Sequence, residues 1–226
     1  MPVHHYGDDT HVRALVAAHA IGFTYGKVIR FKSNILSPGA YNNNRMLPSY
    51  PMHWEEILNQ MINRAMDIRS EFDIIASVAT GGIAHGIALA RALNVPHVII
   101  KKEEKTTHGL KGLIDGDAGL LMRARVLMVE DMSSTFGSTL RAMRPVEAEG
   151  GCVTHTFAIS TWGFPEFSAN VANHQVHVLC TGAQIVDYMT RTLEVGPTYA
   201  KLLRDWLKDP RDESWIDDLN WKRPEE

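Results

Sequence analysis

The chain has 226 residues, 45% of them hydrophobic, a formal net charge of −3 and only two cysteines. A chain of this length buries a sizeable core without metals or disulfides, and Cys152 and Cys180, each in an apolar run, read as buried thiols on neighbouring strands. The mildly acidic balance gives no general field for nucleic acid or an anionic membrane surface. No apolar run approaches the ~18 residues that span a bilayer, and MPVHHYGDDTHVR carries acids but no apolar core, so the reading is no secretory signal, no membrane, no nucleic acid, and a cytoplasmic protein.

In chain order, residues 9–22 set Val12, Leu15, Val16 and Ala20 near helical spacing, with Asp9 or Thr10 as N-cap and Gly22 as stop. KVIRFK (27–32) alternates and predicts a short strand, and the turn-rich stretch up to residue 51 predicts a loop or short hairpin. From Met52 to Ser70 the apolar spacing predicts an amphipathic helix. Elements then alternate. DIIASVA (73–79) is a strand before a TGG turn and a helix. VPHVIIK (95–101) is a second strand, followed by a polar, glycine-rich loop at 102–120. RVLMVE (125–130) is a third, before a loop and a helix to about Glu149, with CVTHTFAIS (152–160) and VHVLC (176–180) the fourth and fifth. The tail predicts helices at 183–194 and about 196–208, then an acidic end containing tryptophan. Continuous apolar strands alternating with helices specify an α/β fold with a central parallel sheet covered on both faces. No repeat or linker divides the chain, so residues 1–226 read as one domain.

In such a sheet ligands bind outside the carboxyl ends of the strands, and three loops with distinctive chemistry leave those ends. ATGGIAHG (79–86) places glycines at a strand-to-helix turn, where the backbone can approach a phosphate at the helix N-terminus. KKEEKTTHGLKG (101–112) gathers four lysines and a histidine into a cationic flap suited to a polyanion. In VEDMSSTFGST the acids Glu130 and Asp131 are followed by Ser133, Ser134, Thr135, Gly137, Ser138 and Thr139. Carboxylates there accept from vicinal sugar hydroxyls, and hydroxyls with backbone amides cradle a phosphate monoester. Together the loops describe a ribose with a phosphate at one end and a diphosphate at the other. Neither GxxxxGK[ST] nor GxGxxG is present, which excludes the Walker and Rossmann phosphate loops.

VLMVEDMSSTFGST resembles the signature of the type I phosphoribosyltransferases. IKKEEKTTHG, FKSNILSP and SVATGGIAHGIALA resemble, in the same order, the mobile loop, N-terminal segment and diphosphate turn of the orotate phosphoribosyltransferases. The resemblance runs from about residue 28 to 180. It implies the type I phosphoribosyltransferase fold, with a small hood formed by about residues 1–50 and part of the C-terminal region. It also implies magnesium-dependent transfer of phosphoribose from phosphoribosyl diphosphate (PRPP) to a base, orotate in the first instance, releasing diphosphate. The alternatives are another base, or a PRPP-binding regulator without catalysis. By the same resemblance Glu130 and Asp131 hold the ribose hydroxyls and stabilise its developing positive charge. Ser133 through Thr139, Phe136 included, wrap the 5′-phosphate, and Thr80, Gly81 and Gly82 touch the diphosphate. Lys101, Lys102, Lys105 and His108 close over it, with Lys105 neutralising the leaving group and the flap at 101–112 reaching the neighbouring subunit of a homodimer. Lys32 lies near the base. Magnesium is held mainly by PRPP and water, as that ion prefers.

Two positions depart from the family pattern. Phe136 occupies a place usually held by a small residue. A benzyl group resists positive φ, so the loop is expected to be reshaped or the ring turned outward, with Gly137 absorbing the conformational demand. The stretch STWGFPEF (160–167) has no arginine where the orotate enzymes carry one for the base carboxylate. Arg45, in YNNNR, is the candidate replacement, and Trp162 and Phe164 either stack on the base or pack beneath the hood. The histidines His4, His5, His11, His174 and His177 have no matching carboxylates and predict no metal site.

Overall fold

The computed structural model describes residues 3–5, 9–101, 112–172 and 174–224. In chain order the elements are β1 (Val3–His5), α1 (Asp9–Ala17), β2 (Ile21–Phe23), β3 (Ile29–Arg30), β4 (Leu36–Ser37), β5 (Ala40–Asn42), α2 (Pro51–Asp67), β6 (Ile74–Val78), α3 (Ile83–Leu93) and β7 (His97–Ile100). They continue as β8 (Ile114–Asp115), β9 (Arg125–Ser133), α4 (Gly137–Ala148), β10 (Cys152–Thr161), α5 (Pro165–Val171), β11 (Gln175–Thr181), α6 (Gly182–Arg191), α7 (Pro197–Lys208) and α8 (Ser214–Asp218).

Among the described residues seven strands form the main sheet in the order β1-β11-β10-β9-β6-β7-β8, all parallel except the edge strand β8. The five strands legible in the sequence occupy its centre and are largely apolar, with helices packed on both faces of the sheet. Successive residues of one strand feed opposite cores, as the period of two demands. Ile75, Leu127 and Val129 pack into the core shared with α1, α2, α3, α6 and α7. Their neighbours Ile74, Ala76, Val126 and Met128 pack into the other, against Met143 and Val146 of α4 and Phe167 of α5.

Two small antiparallel pairs, β2 with β5 and β3 with β4, stand beside the main sheet. The tail closes over them: the Trp206 indole N–H donates to the Leu36 carbonyl at 2.9 Å and the Tyr199 hydroxyl to the Pro38 carbonyl at 2.5 Å. Val28 and Leu36 share a further apolar cluster with Trp215 and Ile216.

Several boundaries differ from the expectation. The first helix ends at Ala17, closed by His19 in the left-handed conformation at φ 50° and by the Ala20 N–H donating to the Leu15 carbonyl at 2.9 Å; Gly22, the expected stop, lies inside β2. The predicted loop at 102–120 contains, in its described part, β8 and the start of a 3-10 turn at Ala118–Leu121, where Asp117 Oδ1 accepts from the Gly119 N–H at 3.0 Å. The third strand runs three residues past Glu130, because β10 continues alongside it to Thr161. The short strand predicted at 27–32 contracts to Ile29–Arg30. Cys180 is buried, whereas Cys152 is exposed: it opens β10 directly after Gly150–Gly151 and before the strand passes under its covering helices. No disulfide joins them. Among the described residues no helix is long and apolar enough to cross a membrane.

Candidate active site

A cleft of about 570 Å³ lies where the carboxyl ends of β6, β9 and β10 meet the hood. Glu130 and Asp131 line it from within β9, Glu130 buried and Asp131 half-buried. The turn after β6 meets this pair directly. A Cβ added to Gly81 would sit 2.0 Å from Asp131 Oδ1, so only a glycine allows the turn and the carboxylate to share this space. Thr80 and Gly81 both line the cleft, the Ala79–Thr80 peptide is cis, and Gly82 is the N-cap of α3.

After β9 the chain turns into α4, and Ser134, Thr135, Gly137 and Ser138 line the cleft at the helix N-terminus. Unpaired N–H groups and the helix dipole make this end a place for an anion. Asn170 of α5 holds the loop by donating to the Thr135 carbonyl at 2.7 Å. Ser133 and Thr139 are buried instead of lining the cleft, and their hydroxyls lack a hydrogen-bond partner among the described residues. Arg141, one turn into α4, also lines the cleft and was missed in the sequence.

Phe136 overturns the expectation drawn from its bulk. It adopts the left-handed conformation itself, at φ 64°, while its ring turns inward to 1% exposure. The ring meets Phe167 edge-on at 5.8 Å and packs with Val178 and the rest of the α4–α5 core. Left-handed backbone costs roughly 1–2 kcal/mol for a residue with a Cβ, and burying a phenylalanine ring returns about 1.5–3 kcal/mol. Gly137 therefore takes up none of the conformational demand and begins the helix normally.

The hood contributes the opposite wall through Phe31, Lys32, Asn42 and Arg45. Asn44 ties this wall to the acid strand: its Nδ2 donates to the Asp131 carbonyl at 2.7 Å and to Ser160 Oγ at 2.8 Å. Asn42 Nδ2 donates to the same Ser160 hydroxyl at 2.6 Å. These two asparagines read as turn formers in the sequence, and only the long-range pairing reveals them. Trp162 touches the cleft but is 2% exposed, stacked on Phe31 at 6.1 Å and edge-on to Trp206 at 5.5 Å. Phe164 is wholly buried against Trp206. Both rings thus belong chiefly to the packing beneath the hood.

Of the flap residues, Lys101 pairs with Asp115 of β8 at 3.0 Å and is not on the cleft wall. Lys102, Lys105 and His108 lie outside the described residues. Behind the Thr80–Gly82 turn, His85 of α3 accepts from the Trp54 indole N–H at Nδ1, 3.1 Å away. Burial, opposed only by a backbone contact with Asn44, pushes this imidazole down to about 4, so it is neutral near pH 7. At the opposite end of the sheet His177 meets His155 at 3.0 Å, and His155 meets Glu71 at 3.1 Å. Burial first, then the neighbouring His155 and His4, push His177 down to about 3. His4 stacks on His177 and lies in β1, so the N-terminal histidines are built into the sheet edge. Among the described residues no cluster of three or more His, Cys, Asp or Glu side chains suits a metal ion. A second cavity of about 440 Å³ lies between Tyr25 and the tail helices and shares no residue with the cleft.

No protein-family model matches the chain. Two orotate phosphoribosyltransferases are similar to it in sequence. One, from Bacteroides thetaiotaomicron, is 34% identical over 172 residues, 75% of this chain and 80% of the relative. The other, from Porphyromonas gingivalis, is 32% identical over 177 residues, 77% of this chain and 82% of the relative. The crystal structure of orotate phosphoribosyltransferase from Aeropyrum pernix superposes with a TM-score of 0.66 at 18% identity, covering 82% of this chain and 99% of that one, a likeness of fold. With that fold, and with identity above 30% across most of both sequences, the chain belongs to the orotate phosphoribosyltransferase family.

Proposed function

We propose that this protein transfers the phosphoribosyl group of PRPP to orotate, forming orotidine 5′-monophosphate and diphosphate in pyrimidine nucleotide biosynthesis. The observation that carries the reading is the convergence, in one cleft, of the acid pair Glu130–Asp131, the helix-terminal hydroxyls and the Gly81 turn, with Gly81 against Asp131.

The chemistry follows from where charge develops. As the C1′–oxygen bond to diphosphate lengthens, positive charge grows on the ribose and negative charge on the leaving group. Glu130 and Asp131 accept hydrogen bonds from the 2′- and 3′-hydroxyls, so two negative charges face the ribose. Their attraction strengthens as it becomes cationic, which favours the transition state over the ground state. Ser134, Thr135, Gly137 and Ser138 hold the 5′-phosphate at the start of α4, and Thr80 and Gly81 meet the diphosphate through the turn. Lys102, Lys105 and His108 of the flap close over the diphosphate from the neighbouring subunit of a homodimer, with Lys101 at its root on Asp115. Closure excludes water from a reactive sugar cation. Magnesium would be held mainly by the substrate's own oxygens and water, a preference of that ion, and would neutralise diphosphate charge. Lys32 and Arg45 stand on the base side. We place this activity in the cytoplasm.

The test is purified protein with PRPP, magnesium and a panel of orotate, uracil, adenine and hypoxanthine, monitoring diphosphate. Release with orotate is expected. Release with a purine only moves the activity to another base, and no release with any base removes the enzymatic reading.

A further inference from the structure

The cleft has a charged feature that neither the acid pair nor the phosphate cradle explains. Arg211 lies between α7 and α8, far in sequence from every loop discussed above, yet it lines the cleft together with Glu166 of α5. Glu166 accepts from Arg211 Nε at 2.9 Å and from Nη2 at 3.3 Å, gripping one edge of the guanidinium in a two-point pair. Nη1 reaches the Ser33 carbonyl only at 3.4 Å. A guanidinium carries five N–H bonds in a rigid plane. Three are directed at these partners, which leaves one N–H on each terminal nitrogen with no acceptor among the described residues. That outer edge matches a carboxylate.

Position distinguishes Arg211 from Arg141, and places it on the same side of the cleft as Lys32 and Arg45. Arg141 lies at the phosphate end, its Nη1 3.7 Å from where a Cβ on Gly137 would be. Arg211 lies at the other end, beside Ser33, which directly follows Lys32. Its side chain is about half exposed, so it is reachable from solvent while still oriented by Glu166.

We infer that Arg211 is the residue that recognises the carboxylate of the base, presented by the C-terminal segment and held in plane by Glu166. This rests on orotate being the base, since orotate is a pyrimidine bearing a carboxylate. Glu166 is then a positioning residue: it fixes the fork and leaves the outer edge for the substrate. The placement also accounts for a fourth strand that ends in STWGFPEF without an arginine.

The experiment is steady-state kinetics of wild type, Arg211→Gln, Arg211→Lys and Glu166→Gln in the full chain, with orotate and PRPP varied separately. Losing a two-point charged hydrogen bond raises KM for orotate in Arg211→Gln by about 10–100-fold, with KM for PRPP within about threefold of wild type. Arg211→Lys, which keeps the charge but not the fork, falls between. Glu166→Gln leaves the Arg211 charge in place but loosens its orientation, so it shows a smaller rise in orotate KM and separates orientation from charge. An unchanged orotate KM in Arg211→Gln overturns the assignment while leaving orotate as the base. An equal rise in both KM values also overturns it, making the pair a clamp on the hood. If Arg211→Gln does not fold, the orotate KM of Arg211→Lys decides in the same way. A wild-type protein that uses PRPP with other bases but not orotate overturns the proposed base and, with it, this inference.

Discussion

Phe136 offers the sharpest test of how the loop between β9 and α4 is built, because two opposing contributions meet at one residue. Its backbone is left-handed at φ 64° and its ring is 1% exposed. Truncation to alanine keeps the backbone strain and empties the space beside Phe167, at a cost of about 3–5 kcal/mol typical of a lost core aromatic. Truncation to glycine empties the same space but releases the strain. At positive φ, glycine outlasts alanine by about 1 kcal/mol, even after glycine's greater freedom in the unfolded chain is counted. Phe136→Gly is therefore expected to be more stable than Phe136→Ala, a reversal of the usual order inside structured segments. In a protein of this size the difference is about 2–4 °C in Tm, and both variants melt well below wild type. Thermal unfolding followed by circular dichroism, with chemical denaturation as a second probe, measures it. An alanine variant equal to or more stable than the glycine variant would refute the balance of strain against burial.

Gly81→Ala places a Cβ 2.0 Å from Asp131 Oδ1, so either the turn or the carboxylate moves. A displacement of about 1 Å is expected to lower kcat/KM for PRPP by about 10²-fold, and near-normal kinetics would show that the two loops do not share the substrate. Lys105→Ala should depress kcat far more than PRPP affinity, read by turnover and by titration with PRPP; an unchanged rate would remove the flap from the mechanism. Stability should fall with acidification below about pH 6.5. Burial holds His85 and His177 near 4 and 3 in the folded chain, beneath the ordinary histidine value of about 6.5, so the unfolded chain binds more protons in that window. Their contribution is fully present above pH 6.5 and is lost as pH falls toward 4 and 3, at up to about 1.4 kcal/mol per pH unit for each. Urea midpoints between pH 4.5 and 7.5 check it, and replacing Trp54 and His85 together with apolar residues should flatten the slope.

What was legible in the sequence was what local pattern determines. The central strands announce themselves by unbroken apolar runs, and the cleft by loops whose chemistry is concentrated in a few consecutive residues. The edges were not legible. Val3–His5 reads as a polar terminus, and its pairing with β11, Val3 opposite Val176, depends on a partner far along the chain. Asn42 and Asn44 looked like turn residues because nothing local shows that they hold Ser160 and the acid strand. Phe136 was judged by its local steric cost, and the compensating burial comes from α5. Trp162 could have stacked on a base or packed, and Phe31 and Trp206 settle it on packing. Arg211 was invisible for the same reason: its role depends on the tail folding back across the cleft.

We propose that Glu130 and Asp131 serve a ribose that becomes cationic during transfer to orotate, and orotidine 5′-monophosphate formed from PRPP and orotate by wild type and by Asp131→Asn, paired with PRPP affinity for each, measures it directly. Wild type should form the nucleotide, and Asp131→Asn should lose about 10²–10³-fold in kcat while its PRPP affinity falls far less. Equal loss of rate and affinity, or a variant as fast as wild type, would contradict it.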